Sequence, residues 1–114
     1  MLDTTIQTQQ IKANGVRLHM ALAGPEHGEP VFLLHGFPDA WFGWEAQIRP
    51  LAEAGFRVNV PDQRGYNLSD KPQGVASYEM DLLVNDILGL ANALEYERFH
   101  LAGHDFGALV SWSL

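Results

Sequence analysis

The sequence contains no cysteine and few basic residues, and these shortages exclude several classes of protein. Without cysteine there is no disulfide framework, no thiol nucleophile and no cysteine-based metal site. Asp and Glu number 14 against 7 Lys and Arg, which argues against nucleic acid or an acidic membrane surface as a partner. The lack of cysteine is compatible with the reducing cytoplasm, which is where we expect the protein to be located.

Long apolar runs are missing as well. The first ten residues, MLDTTIQTQQ, have neither a basic flank nor an apolar core, so we expect no secretory signal. The apolar run at 31–34 has the length of a strand and is far too short to cross a membrane. No two of His19, His27 and His100 have metal-ligand spacing, and we expect neither a metal nor a cofactor. Three histidines are predicted to be surface or packing residues: His19, His27 and His100.

What is present is an alternation of strand and helix patterns. The dipeptide Asn14-Gly15 is a strong hairpin signal between two strand-like stretches. The apolar run at 31–34 is typical of a central strand that is buried on both faces. Five strands are predicted in all, at 6–12, 16–23, 30–34, 56–60 and 98–102.

Three helices are predicted, near 43–54, from Ser77 onward and from Phe106 onward. Ser77 is expected to cap the second helix. The apolar face of that helix is predicted to consist of Val84, Ile87, Leu88, Ala91 and Leu94. An N-terminal antiparallel hairpin, followed by alternating strands and helices, predicts an α/β fold with a mostly parallel sheet and flanking helices.

Polar motifs follow three of the predicted strands. They are His35-Gly36-Phe37-Pro38, Asp62-Gln63-Arg64-Gly65 and His104-Asp105-Phe106. The carboxyl ends of parallel strands lie at one edge of a sheet, and ligands bind at that edge in open α/β sheets. We therefore expect the three motifs to form a single site.

The segment 103–107 has the frame of a nucleophile elbow, with Gly103 and Gly107 on either side of a strand-to-helix turn. Glycine is needed at both positions because the tight turn brings backbone segments close enough to clash with a Cβ. Asp105, at the centre, would lie at a helix N-terminus, where unpaired N–H groups and the helix dipole favour an ionised carboxylate. Two interpretations are open on this stretch alone: Asp105 is a nucleophile, or it is only a helix N-cap.

Together the motifs resemble those of the α/β-hydrolases that use an aspartate nucleophile, and the epoxide hydrolases most of all. The resemblance extends from about residue 6 to the end of the sequence. It rests on His35-Gly36-Phe37-Pro38 with Asp39, Trp41, Trp44 and Gln47, on Asp62-x-Arg64-Gly65-Tyr66, and on Gly103-His104-Asp105-Phe106-Gly107.

The resemblance implies roles for individual residues. Asp105 would be the nucleophile, and the backbone N–H groups of Phe37 and Phe106 would form the oxyanion hole. The Phe37–Pro38 peptide bond is expected to be cis, which only a residue before proline readily adopts. Supporting roles in the turns are implied for His35, Gly36, Pro38, Gly103, His104 and Gly107.

The loop at 62–69 resembles the family pattern Asp-x-Arg-Gly-x-Gly-x-Ser, with Asn67 in place of the second glycine. Asparagine tolerates left-handed backbone better than other non-glycine residues, so we expect the turn to be preserved. We interpret Asp62 and Arg64 as anchors of this loop rather than as substrate contacts. Trp41 is a candidate either for the wall of a substrate pocket or for the core, whereas Trp44 is predicted to be a core residue.

A carboxylate at the elbow suits attack on saturated carbon, because the product is a stable alkyl ester. The small-molecule substrate would then be an epoxide, with an organohalide as the alternative. The phenyl rings of Phe37 and Phe106 donate no hydrogen bond to a leaving halide, which favours an epoxide hydrolase over a dehalogenase.

The resemblance also implies parts that the sequence does not contain: a histidine that activates water, an acid that orients it, and a lid. We therefore expect the 114 residues to be the N-terminal portion of a single α/β-hydrolase domain, without the lid and the C-terminal half, and inactive alone. An alternative of another class is a non-catalytic fragment or interaction module that associates through an open sheet edge. The sequence gives no signal for oligomeric state.

Overall fold

A computed structural model of the chain describes residues 4–114, which form a sheet of five strands with helices against it. The strands are β1 (Gln7–Ala13), β2 (Val16–Ala23), β3 (Glu29–Leu34), β4 (Phe56–Pro61) and β5 (His100–Gly103). The helices are α1 (Glu45–Glu53), α2 (Met80–Ala93) and α3 (Phe106–Ser113), with short 3-10 turns at Trp41–Trp44 and Val75–Tyr78. The predicted order of strands and helices is confirmed.

The strands lie in the order β1-β2-β4-β3-β5, and the sheet is mixed. The tight turn at Asn14-Gly15, where φ is 52° and 77°, makes β1 and β2 antiparallel as predicted. β3 is parallel to both β4 and β5, but β2 is antiparallel to β4. The prediction of an antiparallel hairpin followed by parallel strands is confirmed, within a sheet that is mixed as a whole. The connection at 24–28 is too short for a crossover helix, so the chain turns back after β2.

Apolar residues cover both faces of the sheet, and β3 contributes to each. Phe32 and Leu34 belong to one core cluster, in which α2 packs against β2 and β3. Val31 and Leu33 belong to the other, in which α1 packs against β3 and β4. This arrangement confirms that the apolar run at 31–34 is a central strand buried on both faces. Within residues 4–114, no helix has the length and apolar character needed to cross a membrane.

Helix α2 begins later than the sequence predicts, and one of the five residues predicted for its apolar face is exposed. Ser77 lies in the preceding 3-10 turn, where its hydroxyl donates to the carbonyl of Gln73 at 2.7 Å, so it does not cap α2. Leu88 was predicted to be buried but is 43% exposed, whereas Asp86 is only 2% exposed. The buried residues of α2 are Leu83, Asp86, Ile87, Leu90 and Ala91. Asp86 faces inward because Arg64 lies there to pair with it.

The end of α2 offers a stability prediction. Glu95 follows the helix in the left-handed conformation, with φ at 62°, and the next residue, Tyr96, donates its N–H to the Ala91 carbonyl at 2.8 Å. Glycine is the residue that adopts this conformation without steric cost. We expect Glu95→Gly to raise the free energy of unfolding by about 0.5–1 kcal/mol, measured by chemical denaturation of the full-length protein.

Glu97 supplies the matched control, because it is also an exposed glutamate but does not have a positive φ. Glycine at that position gains nothing from the backbone and loses more chain entropy on folding, so Glu97→Gly is expected to lower the stability. Equal effects of the two substitutions would show that the left-handed backbone at Glu95 costs nothing.

Candidate active site

Backbone and side-chain hydrogen bonds join the loops that follow β3, β4 and β5. The N–H of His104 donates to the Leu34 carbonyl at 3.1 Å, which brings the end of β5 to the end of β3. The N–H of Gln63 donates to Nε2 of His35 at 3.0 Å, which connects the β4 loop to the β3 loop. The three polar motifs therefore lie together at the carboxyl ends of the parallel strands, where such sheets bind ligands.

Asp105 lies at the sharp turn between β5 and α3, and its backbone is in an unusual conformation. Its φ is 57° and its ψ is −116°, a region that residues other than glycine rarely occupy. Its side chain makes no capping hydrogen bond to α3. The carboxylate is exposed and instead accepts a hydrogen bond at 3.1 Å from the N–H of Phe37, in another loop. The hydrogen bond from Phe37 therefore connects the elbow to the loop that follows β3.

Two backbone N–H groups face this carboxylate. Hydrogen bonding first from Phe37 and then from Phe106 lowers the pKa of Asp105 below its ordinary value, and the nearby His104 acts in the same direction. These interactions favour the charged form of the carboxylate. The Phe37–Pro38 peptide bond is cis, as the sequence resemblance implies.

The glycines of the motifs lie where backbone segments nearly touch. A Cβ on Gly107 would overlap the carbonyl groups of Leu34 and His35 at the end of β3. A Cβ on Gly36 would lie 2.8 Å from the Cβ of Asp105. Gly103 has the same restriction, because its Cβ would overlap the carbonyl oxygen of Gly107. The close contact between the elbow and the β3 loop therefore depends on the absence of side chains at these positions.

His35 is buried, and both of its ring nitrogens have partners. Nδ1 lies 2.8 Å from the carbonyl oxygen of Gly36, and Nε2 accepts the N–H of Gln63. Burial lowers the pKa of His35, so the ring is neutral, with its proton on Nδ1 to donate to Gly36. Because both nitrogens are engaged in holding the loops, His35 has no free nitrogen for proton transfer to a substrate.

Asp62 anchors the β4 loop to the rest of the site. Its fully buried carboxylate accepts the N–H of Trp41 at 2.8 Å, Nδ2 of Asn67 at 2.9 Å and Nδ1 of His19 at 2.7 Å. These contacts agree with the interpretation of Asp62 as an anchor, and Asn67 has the expected left-handed φ of 47°. The role of His19 is the new finding: it lies in β2, 43 positions before Asp62, and no local pattern relates the two residues.

Trp41 and Trp44 both pack against the core cluster on the α1 face of the sheet. Trp44 also borders a cavity of about 230 Å³ beside the elbow, which Asp39, Gln47 and His104 help to line, but Trp41 does not. Another cavity, about 810 Å³, opens at the amino ends of β3 and β5, at the far end of the sheet from Asp105. Within residues 4–114, no group of three or more potential ligands is placed to hold a metal ion.

Comparison with known proteins identifies the family. The family model described as alpha/beta hydrolase fold matches residues 29–114. The chain belongs to the alpha/beta hydrolase fold family. This alpha/beta hydrolase chain is 51% identical over 109 residues to AB hydrolase superfamily protein YfhM of Bacillus subtilis (strain 168), a match that covers 96% of the chain and 38% of the relative.

Epoxide hydrolases are among its relatives. Epoxide hydrolase A of Mycobacterium tuberculosis (strain ATCC 25618 / H37Rv) is 44% identical over 104 residues, which cover 90% of this chain and 32% of the relative. The crystal structure of Epoxide Hydrolase A from Mycobacterium thermoresistibile matches with a TM-score of 0.94 and 39% identity, covering 96% of this chain and 34% of that one. The predicted fold and the resemblance to epoxide hydrolases are confirmed, and the chain spans about a third of the length of these relatives.

Proposed function

We propose that this chain is the nucleophile-bearing part of an epoxide hydrolase in which Asp105 attacks an epoxide carbon. The main support is the exposed carboxylate of Asp105, which faces the N–H groups of Phe37 and Phe106 at the carboxyl ends of the parallel strands. The similarity to epoxide hydrolases supports the same reaction. In this proposal the substrate is a small epoxide and the product is a diol.

In the first step an oxygen of the Asp105 carboxylate attacks one carbon of the epoxide ring. A new carbon–oxygen bond forms, the ring bond to that carbon breaks, and its electron pair moves to the epoxide oxygen, which then takes up a proton. The product is an alkyl ester on Asp105. The two N–H groups keep Asp105 ionised and available for this attack, because they lower the pKa of its carboxyl group.

In the second step water adds to the carboxyl carbon of Asp105. The carbonyl oxygen of the ester becomes negatively charged, and in this proposal the N–H groups of Phe37 and Phe106 stabilise that charge. Collapse of the intermediate releases the diol and restores the carboxylate. In this scheme the oxyanion hole stabilises negative charge on the Asp105 ester, which is part of the protein, rather than on the substrate.

Both steps require proton transfer, which we assign to groups outside residues 4–114. The ring nitrogens of His35 are both occupied, and His19 is buried against Asp62. We accordingly propose that the isolated 114-residue chain does not hydrolyse epoxides. The dehalogenase alternative is not favoured, since the related proteins named above include epoxide hydrolases and the side chains of Phe37 and Phe106 offer no donor to a halide.

Isotope labelling of the full-length protein tests the mechanism. With enzyme in excess over styrene oxide in ¹⁸O-labelled water, we expect the diol of the first turnover to contain no label from the solvent at the attacked carbon. The label should appear by mass spectrometry in the peptide that contains Asp105, because water attacks its carboxyl carbon. Label in the first diol would instead show direct attack by water. Bromide release from 1-bromobutane without diol formation from styrene oxide would support the dehalogenase alternative.

A further inference from the structure

The ring of Tyr66 lies between the two loops that supply the N–H groups facing Asp105. Tyr66 itself belongs to a third loop, the one that follows β4. Its ring meets that of Phe37 edge-on at a centroid distance of 6.4 Å and that of Phe106 at 6.3 Å with a tilt of 39°. One side chain therefore contacts both residues of the proposed oxyanion hole.

The backbone of Tyr66 is fixed on both sides. Its N–H donates to the carbonyl of Gln63 at 2.9 Å, and its carbonyl accepts the N–H of Ser69 at 3.0 Å. Its ring also rests edge-on against His35, at 4.7 Å between ring centroids, and His35 is fully buried. Tyr66 is thus a rigid support rather than a mobile surface side chain.

Phe37 depends on this support because little else covers its side chain. It is 70% exposed, although its N–H must remain 3.1 Å from the Asp105 carboxylate. An exposed aromatic ring on a loop is held in place by its few ring contacts. Loss of the Tyr66 ring would leave Phe37 and Phe106 without the side chain that connects them.

We propose that Tyr66 is a positioning residue, whose ring fixes the distance between the N–H groups of Phe37 and Phe106 for hydrolysis of the Asp105 ester. This inference rests on the function proposed above. It assigns the effect of Tyr66 to the second step, in which the oxyanion forms, and not to the first step. Attack by the carboxylate needs no oxyanion hole, because the negative charge then leaves Asp105.

Single-turnover kinetics of the full-length protein with styrene oxide separate the two steps. We expect Tyr66→Leu, which removes the ring, to slow hydrolysis of the ester by about 10- to 100-fold, so that alkylated Asp105 accumulates and is detected by mass spectrometry. The rate of alkylation should change by less than about threefold, since no donor to the epoxide is lost and an aspartate with an ordinary pKa is still ionised at neutral pH. Tyr66→Phe keeps the ring and is the matched control, for which we expect wild-type rates of both steps.

Several results would overturn the proposal. Equal loss in Tyr66→Phe and Tyr66→Leu would assign the effect to the hydroxyl, and unchanged hydrolysis in Tyr66→Leu would remove any role for the ring. An equal slowing of both steps would indicate general disruption of the site. If Tyr66→Leu does not fold, as judged by circular dichroism, Tyr66→Met is used in its place, and wild-type hydrolysis in that variant has the same meaning.

Failure of the proposed function would be recognised separately, because the wild-type protein would then form no alkylated Asp105. The position of the N–H groups can still be tested in that case, by NMR titration of the Asp105 carboxyl group. Since those groups lower its pKa, we expect the pKa to rise in Tyr66→Leu and to stay unchanged in Tyr66→Phe. His104 and Tyr66 are the titratable groups whose charges couple to Asp105, and Tyr66→Phe controls for loss of the phenol. An unchanged pKa in both variants would refute the positioning role.

Discussion

Diol formation by the full-length protein is expected to fall by at least about 10³-fold when Asp105 is replaced by alanine. The substitution removes the only group in the proposed mechanism that forms a bond to the epoxide carbon. The oxyanion hole cannot compensate, because without Asp105 there is no ester for it to act on. Loss of a nucleophile therefore removes both steps together.

The measurement is steady-state diol formation, together with mass spectrometry of the protein after exposure to excess styrene oxide. The wild-type peptide that contains Asp105 should become alkylated, and the Asp105→Ala peptide should not. Asp81→Ala is the control, since it removes another exposed carboxylate, one in the first turn of α2. Its expected cost is only the interaction with the helix dipole, about 0.3–1 kcal/mol of stability, with activity unchanged.

Substantial diol formation by a folded Asp105→Ala variant would refute the assignment of the nucleophile. Folding of the variant is not expected to limit the test, because the Asp105 side chain is exposed and makes no capping hydrogen bond to α3. Circular dichroism and the midpoint of thermal unfolding check this point. A variant that keeps the wild-type spectrum and lacks activity supports a chemical role for the carboxylate.

The parts of the site that could be predicted from the sequence are those with short-range causes. Asn14-Gly15 forms the predicted hairpin because both residues tolerate a positive φ. Asp105 lies at a strand-to-helix turn because Gly103 and Gly107 leave room for the backbone of neighbouring segments. The meeting of three loops at one edge follows from the parallel direction of β3, β4 and β5, which the alternation of strands and helices already indicates.

The errors concern residues whose environment is set by distant partners. Asp86 is not part of the apolar face that the sequence predicts for α2, yet it is buried because Arg64, 22 positions earlier, pairs with it. Leu88 is part of that predicted face but is 43% exposed. His19 is held by Asp62 across two strands, and the tyrosine ring between Phe37 and Phe106 comes from a third loop. The spacing of apolar residues along the sequence carries no information about these long-range contacts.

The second large effect is expected at the ion pair between Arg64 and Asp86, which joins the β4 loop to α2. Nε and Nη2 of Arg64 donate to the two carboxylate oxygens at 2.7 and 2.8 Å, and both residues are at most 4% exposed. Hydrogen bonding to Asp86 raises the pKa of Arg64, so its positive charge persists. Asn14 from the hairpin also donates to Asp86 at 2.9 Å, and Arg64 donates to the carbonyl of Ser77 at 2.8 Å.

Replacing Asp86 with alanine is therefore expected to lower the free energy of unfolding by about 3–5 kcal/mol, because it leaves the buried guanidinium of Arg64 without its counterion. Arg64→Ala should have an effect of similar size for the converse reason. The attraction between the charges is not the main cause, since much of it offsets the cost of removing both groups from water. Each single variant loses stability because one charge stays buried without the opposite charge that compensated for it.

The losses at Arg64 and Asp86 are expected to be strongly non-additive, which a double-mutant cycle measures by chemical denaturation of the full-length protein. The double variant Arg64→Ala with Asp86→Ala contains no buried charge from this pair, so its stability should lie well above the level that the two single losses add up to. Glu29→Ala is the control, because its partner His100 lies at 3.0 Å in a pair whose side chains are 62% and 75% exposed. Its expected loss is below about 1 kcal/mol. Additive losses at Arg64 and Asp86, or a loss at Glu29 as large as that at Asp86, would contradict the explanation by buried charge.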